Sequence, residues 1–195
     1  MTSSHIQEQL KELETPAVLL DATQLASNLS SMQKRADRHG VALRPHVKTH
    51  KSLEIGRRQL AFGATGITVA TLDEAIVFIE GGFASITIAR PMISATKWDR
   101  LFSALESHEA DVRIVADSEE GLRIAADRAM AYDKKVGIFI KIDVGLHRCG
   151  LSPEDKRLLD LAIIAQEATH LDFRGILSHA GHAYAAGSSD EAANL

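Results

Sequence analysis

From residue 41 onward, short β-branched runs alternate with helical stretches, and this alternation constrains the fold more than any other feature. Strands are expected over 41–48, 66–71, 85–90, 111–117, 136–143 and 171–179. Helices are expected over 51–61, 72–80, 94–107, 118–133 and 153–168, with starts marked by Thr71, Ser94, Ser118 and Ser152 and with Pro153 at a first helical position. Such alternation builds βαβ units and a parallel sheet. Two closures compete, an open doubly wound sheet and a (β/α)8 barrel. Strand parity favours the α/β barrel. In an open sheet both faces meet helices, so the strands should be apolar nearly throughout. Here Ile67 and Val69 alternate with Thr68 and Ala70, and Ile86 and Ile88 with Thr87 and Ala89. Val136, Ile138, Ile140 and Ile142 alternate with Gly137, Phe139, Lys141 and Asp143. The second set would line an interior that also carries Arg44, His46 and Lys48. Strand 171–179 does not sort by parity. Six βα units fall short of eight, so the reading is an incomplete TIM-type barrel and a fragment of a longer chain.

Before the barrel, residues 1–40 read as a helix over 4–13, a strand over 17–20 and a helix from Asp21 through Arg38 followed by Gly40. Beyond residue 185, Ser188-Ser189-Asp190-Glu191 offers a loop and a helix start. The 195 residues are 45% hydrophobic and 25% charged with net charge −4, an ordinary globular composition whose slight acidity argues against a nucleic-acid binder. The lone Cys149 cannot form an internal disulfide, there is no signal-peptide core, and no apolar run spans a bilayer. A cytoplasmic protein without membrane or nucleic-acid partners is expected.

Of nine histidines, His46, His50, His147, His179 and His182 fall at or just past strand C-termini, the rim where barrels place active sites. Three segments concentrate reactive side chains there. In Arg44-Pro45-His46-Val47-Lys48-Thr49-His50-Lys51, parity puts Lys48 on the face of His46 and Arg44. An amine losing hydration there becomes a nucleophile able to form a Schiff base; a basic strand end that only binds an anion is an equal alternative. In Lys141-Ile142-Asp143-Val144-Gly145-Leu146-His147-Arg148-Cys149-Gly150, Lys141 and Asp143 can pair, and Arg148 offers a planar fork to an anionic oxygen. A structural ion pair beside an exposed arginine is the simpler account. In Ser178-His179-Ala180-Gly181-His182-Ala183-Tyr184, an imidazole can stack on a heteroaromatic ring and Tyr184 can donate a hydrogen bond. His179 and His182 have no third metal ligand nearby. Neither a P-loop nor a dinucleotide fingerprint is present.

With these segments in view, the chain resembles the fold-type III pyridoxal-phosphate enzymes, in the D-serine dehydratase/D-threonine aldolase branch. The resemblance runs from Thr15-Pro16 to Tyr184 and rests on RPHVKTHK, on KIDVGLHRCG, which is similar to a block of alanine racemases, and on SHAGHAY. It implies a partial alanine racemase-like barrel over 41–195 that binds pyridoxal 5'-phosphate. Lys48 would hold the cofactor and act as the catalytic lysine. Arg148 would bond the cofactor's phenolic oxygen, His179 would lie on its ring, and His46 and Tyr184 would complete the site. Leu177 stands where some relatives carry Tyr or Gln. The family's glycine-rich phosphate loop and its C-terminal β-domain, with the divalent-metal ligands, are absent here, so no metal site is expected within these residues. The implied activity is a lyase reaction on a D-β-hydroxy amino acid by a full-length homodimer. A non-catalytic cofactor carrier and an amino-acid racemase are the alternatives.

Overall fold

In the computed structural model, residues 8 and 10–193 are described. The chain divides into two compact units between Val41 and Ala42. In the first, helix α1 (Ala22–Arg38) begins at Asp21, whose carboxylate accepts the N–H groups of Thr23 and Gln24 at 2.8 and 2.9 Å. This satisfies donors that the first helical turn leaves free. Of the expected helix over 4–13, residues 4–7 and 9 lie outside the described residues, while 8, 10 and 11 are helical. The expected strand 17–20 does not form. Val18 is fully exposed, and four apolar residues without a ladder partner are not a strand.

The second unit is a five-stranded parallel sheet of β1 (Ile67–Val69), β2 (Ser85–Ile88), β3 (Asp111–Ala116), β4 (Val136–Ile142) and β5 (Leu171–Ser178), in that spatial order. A doubly wound sheet reverses its strand order at a switch point. This one advances in a single direction, as a barrel wall does. Between strands run α2 (Leu53–Ala61, before β1), α3 (Leu72–Glu80), α4 (Ala95–Ser107), α5 (Glu119–Ala131) and α6 (Arg157–Glu167). A short α7 (Ser189–Ala193) follows β5, and the Oγ of Ser188 accepts the Glu191 N–H at 3.1 Å.

Parity sorts the wall as its alternation demands. Register aligns Ile67 with Ile86, Ile86 with Val112, and Ile114 with Ile138. These buried rows pack beneath Phe78 and Ile79 of α3, Trp98, Leu101 and Phe102 of α4, Leu122 of α5 and Leu161 of α6. Trp98, Phe102 and Tyr132 stack in series at 5.8 and 5.4 Å, and the Trp98 indole donates to the Met92 carbonyl at 3.0 Å. The opposite rows, Thr68 and Ala70, then Ala89, then Lys141, face the other way and line a cavity.

Two more expectations about elements need correction, and the unsorted strand finds its cause. Segment 41–48 is not a regular strand. Pro45 has no N–H to donate to a ladder, and the segment meets β1 through Leu43 and Pro45 carbonyls (from Thr65 and Thr68, 2.9 and 2.7 Å) and one bridge, His46 to Thr68. The chain then enters a 3-10 turn, Val47–Thr49. Helix α6 begins at Arg157 instead of Pro153, because Asp155 captures both the N–H and the guanidinium of Arg157. β5 carries a bulge: Ile138 pairs with Phe173 but Phe139 with Gly175, so Arg174 is an extra residue. A bulge inverts parity along a strand, which is why 171–179 would not sort.

Candidate active site

A cavity of about 530 Å3 opens at the C-terminal ends of the strands, and the expected residues Arg44, His46, Lys48, Lys141, Arg148 and His179 all line it. Three connections bring them there. The turn after segment 41–46 supplies Lys48. The loop after β4 supplies Arg148. The end of β5 supplies His179, and Leu177 beside it.

Lys48 is exposed at the cavity mouth, with no acidic partner among the described residues, so the expected desolvation of this lysine is not found. It sits on the 3-10 turn, not on a strand. It shares the cavity with His46 because the His46 Nδ1 accepts the Lys48 N–H at 3.3 Å. That bond leaves the proton on Nε2 of a neutral ring. Burial, reinforced by the Lys48 charge, holds His46 below its ordinary pKa. The buried lysine is instead Lys141, 3% exposed, its ammonium weakened first by desolvation.

The expected Lys141–Asp143 pair is not made. Asp143 turns its carboxylate onto its own loop, accepting the N–H groups of Gly145 and His147 at 3.0 Å each and facing the His147 ring at 3.1 Å. The loop is pinned again at Gly150, whose N–H reaches Asp117 at the end of β3, 3.0 Å away. Between these pins Arg148 lines the cavity, exposed and without an acidic partner among the described residues. His179 is half-buried. Burial comes first among the causes that lower its pKa, followed by Arg148, Lys141 and Lys48. Tyr184 approaches it edge-on, ring centres 5.8 Å apart, but is 83% exposed and lies outside the cavity lining.

Sequence position alone spreads the rim too widely. His50 spends its Nδ1 on the Ser52 N–H, His147 sits on Asp143, and His182 packs against Gly145. Arg44 lines the cavity, but its guanidinium reaches down to the carbonyl and hydroxyl of Ser85 at the start of β2. Arg90, just past β2, also lines the cavity. Its signal in the sequence is a position at a strand's C-terminal end, the same one that points to His46 and Lys48. Among the described residues no group of three or more His, Cys, Asp or Glu could hold a metal ion, and no helix is long and apolar enough to cross a membrane.

Residues 20–195 match the alanine racemase N-terminal domain. The chain is 33% identical to D-threonine aldolase of Arthrobacter sp. over 89% of its own length and 45% of that protein. It is 35% identical to D-threo-3-hydroxyaspartate dehydratase of Delftia sp. (strain HT23) over 92% of its length and 47% of the relative. The crystal structure of D-threonine aldolase from Filomicrobium marinum superposes with a TM-score of 0.84 at 29% identity, covering 89% of this chain and 46% of that one. The chain thus spans about half the length of the relatives it matches. The motifs, the one-way parallel sheet and these matches agree: the chain belongs to the alanine racemase N-terminal domain family, among the fold-type III pyridoxal-phosphate proteins.

Proposed function

We propose that this chain is the cofactor-holding part of a pyridoxal-phosphate-dependent lyase acting on a D-β-hydroxy amino acid. One observation carries the proposal: Lys48, an amine with no acidic partner among the described residues, opens into the same cavity as Arg148 and two histidines whose pKa values burial lowers. The donor set fits the cofactor. The cavity is rich in cations and suits an anionic ligand, the Lys48 amine suits an aldehyde, and the His179 ring suits a planar heteroaromatic face. Bound there, pyridoxal phosphate supplies an electron sink for charge developing at the substrate α-carbon.

The residues divide the remaining work. Lys48 would hold the cofactor through its amine, and the same amine is the base placed to take a proton from the substrate α-carbon. Arg148 holds an anionic oxygen with its planar fork. His46 fixes the Lys48 backbone, His179 would face the cofactor ring, and Tyr184 stands edge-on to His179. Aldolase and dehydratase relatives both match this chain, so the D-β-hydroxy amino acid is the shared substrate class that supports the reading. On this reading any divalent metal that polarises the hydroxyl is held outside these residues, the working form is a cytoplasmic homodimer, and neither nucleic acid nor membrane is a partner.

The test is chemical. The full chain is incubated with pyridoxal phosphate, reduced with borohydride and mapped by peptide mass spectrometry. Lys48 carries the label, Lys48→Ala abolishes it, and Lys51→Ala leaves the site of attachment unchanged. A label confined to Lys51 or Lys141 overturns the assignment.

A further inference from the structure

The turn that presents Lys48 is fastened from both sides. On the near side, Val47 is fully buried and the His46 ring accepts the Lys48 N–H. On the far side, Lys51 takes φ +49°, a left-handed conformation uncommon for a side-chain-bearing residue, while its N–H donates to the Val47 carbonyl at 2.8 Å. Such a conformation persists where its surroundings fix it. Against this residue stands Glu74 of α3, although the Lys51 side chain remains 65% exposed. The Lys51 Nζ meets the Glu74 Oε1 at 3.2 Å. Its Oε2 accepts the N–H of Ala70, a cavity-lining residue just past β1, at 2.7 Å. The Glu74 N–H bonds in turn to the Thr71 hydroxyl that caps α3. In a capping box the glutamate turns back to the N-cap residue's own N–H. Here it reaches one residue further, with an oxygen left for Lys51, and its side chain is only 12% exposed.

We infer that the Lys51–Glu74 ion pair is a positioning clasp: it ties the Lys48 turn to the end of β1 and so keeps the Lys48 amine directed into the cavity. This inference rests on Lys48 being the attachment lysine. Lys51 itself does not line the cavity, which fits a residue acting through its neighbour.

The test follows pyridoxal phosphate attachment at Lys48 over time, by borohydride trapping and peptide mass spectrometry, in the full chain. Lys51→Met, Glu74→Gln, the double variant and Lys51→Arg are compared, with circular dichroism confirming that each folds. Each single variant slows labelling about five-fold, the scale of a part-exposed ion pair. The double variant is no slower than either single, and Lys51→Arg restores the rate to within about two-fold. Direction separates positioning from simple charge. Losing a cation and losing an anion act oppositely on a nearby amine, so a through-space effect would push the two singles apart, whereas a broken clasp moves both the same way. Wild-type rates in both singles, opposite shifts, or additive losses in the double variant overturn the clasp. Absence of label at Lys48 in the wild type overturns the reading beneath it instead.

Discussion

Gly150→Ala tests whether the loop carrying Arg148 is as tightly built as its hydrogen bonds imply. Gly150 adopts φ +102°, and a Cβ there would meet the Asp143 nitrogen at 2.8 Å and the Ile142 carbonyl carbon at 2.9 Å. Both are backbone atoms, one of them in β4, so neither can rotate away. Two penalties add. The dihedral costs an alanine about 1–2 kcal/mol, and forcing atoms into filled space costs about 1–3 kcal/mol more. Gly175→Ala is the internal control. It has φ +106° with nothing within 4 Å of its Cβ, so it carries the dihedral penalty alone. The lower entropy of an unfolded alanine applies to both variants and cancels. The difference between them, about 1–3 kcal/mol, separates their urea midpoints by about 0.5–1.5 M at a slope near 2 kcal/mol per molar. Gly150→Ala also breaks the Asp117 contact that holds the loop, so it weakens pyridoxal phosphate binding in a fluorescence titration, while Gly175→Ala does not. Equal midpoints for the two variants refute the claim that the loop backbone is immovable.

Two more outcomes follow from packing and charge. Trp98→Ala removes a side chain 1% exposed and its bond to Met92, lowering unfolding free energy by about 3–5 kcal/mol in denaturant melts. His46 and His179 have folded pKa values below the ordinary 6.5, so between the folded and unfolded values the unfolded chain binds more protons. Stability therefore rises with pH from below 6.5 up to about that value and then levels off, and His46→Gln with His179→Gln flattens this rise in melts taken from pH 5 to 8.

The wall was legible because its alternation has a single physical cause. Ile67, Ile86, Ile114 and Ile138 must face helices, so their neighbours must face the interior. What the alternation hid were interruptions of backbone pairing. Arg174, the extra residue of the β5 bulge, shifts everything after it by one, and the apolar content of 171–179 does not change when that happens. The strand at 17–20 failed for the complementary reason. Its composition is strand-like, but a ladder needs a second backbone, which four residues of sequence cannot reveal.

At the site, the expected residues share a cavity through an element other than the expected one. Parity placed Lys48 beside His46 and Arg44 on one strand face. The chain leaves the extended conformation at Val47, and Lys48 belongs to a turn. The three still share a cavity, since each residue of that segment is anchored separately: Arg44 by Ser85, His46 by its bridge to Thr68, and Lys48 by the His46 ring. The same distinction governs burial. A lysine within the wall, Lys141, is desolvated because strands flank it on both sides, whereas a lysine on a turn at the rim remains in water. For the cofactor-attaching lysine proposed above, a turn at the rim leaves the amine open to approach, while the His46 ring and the Val47 carbonyl hold the backbone on either side of it.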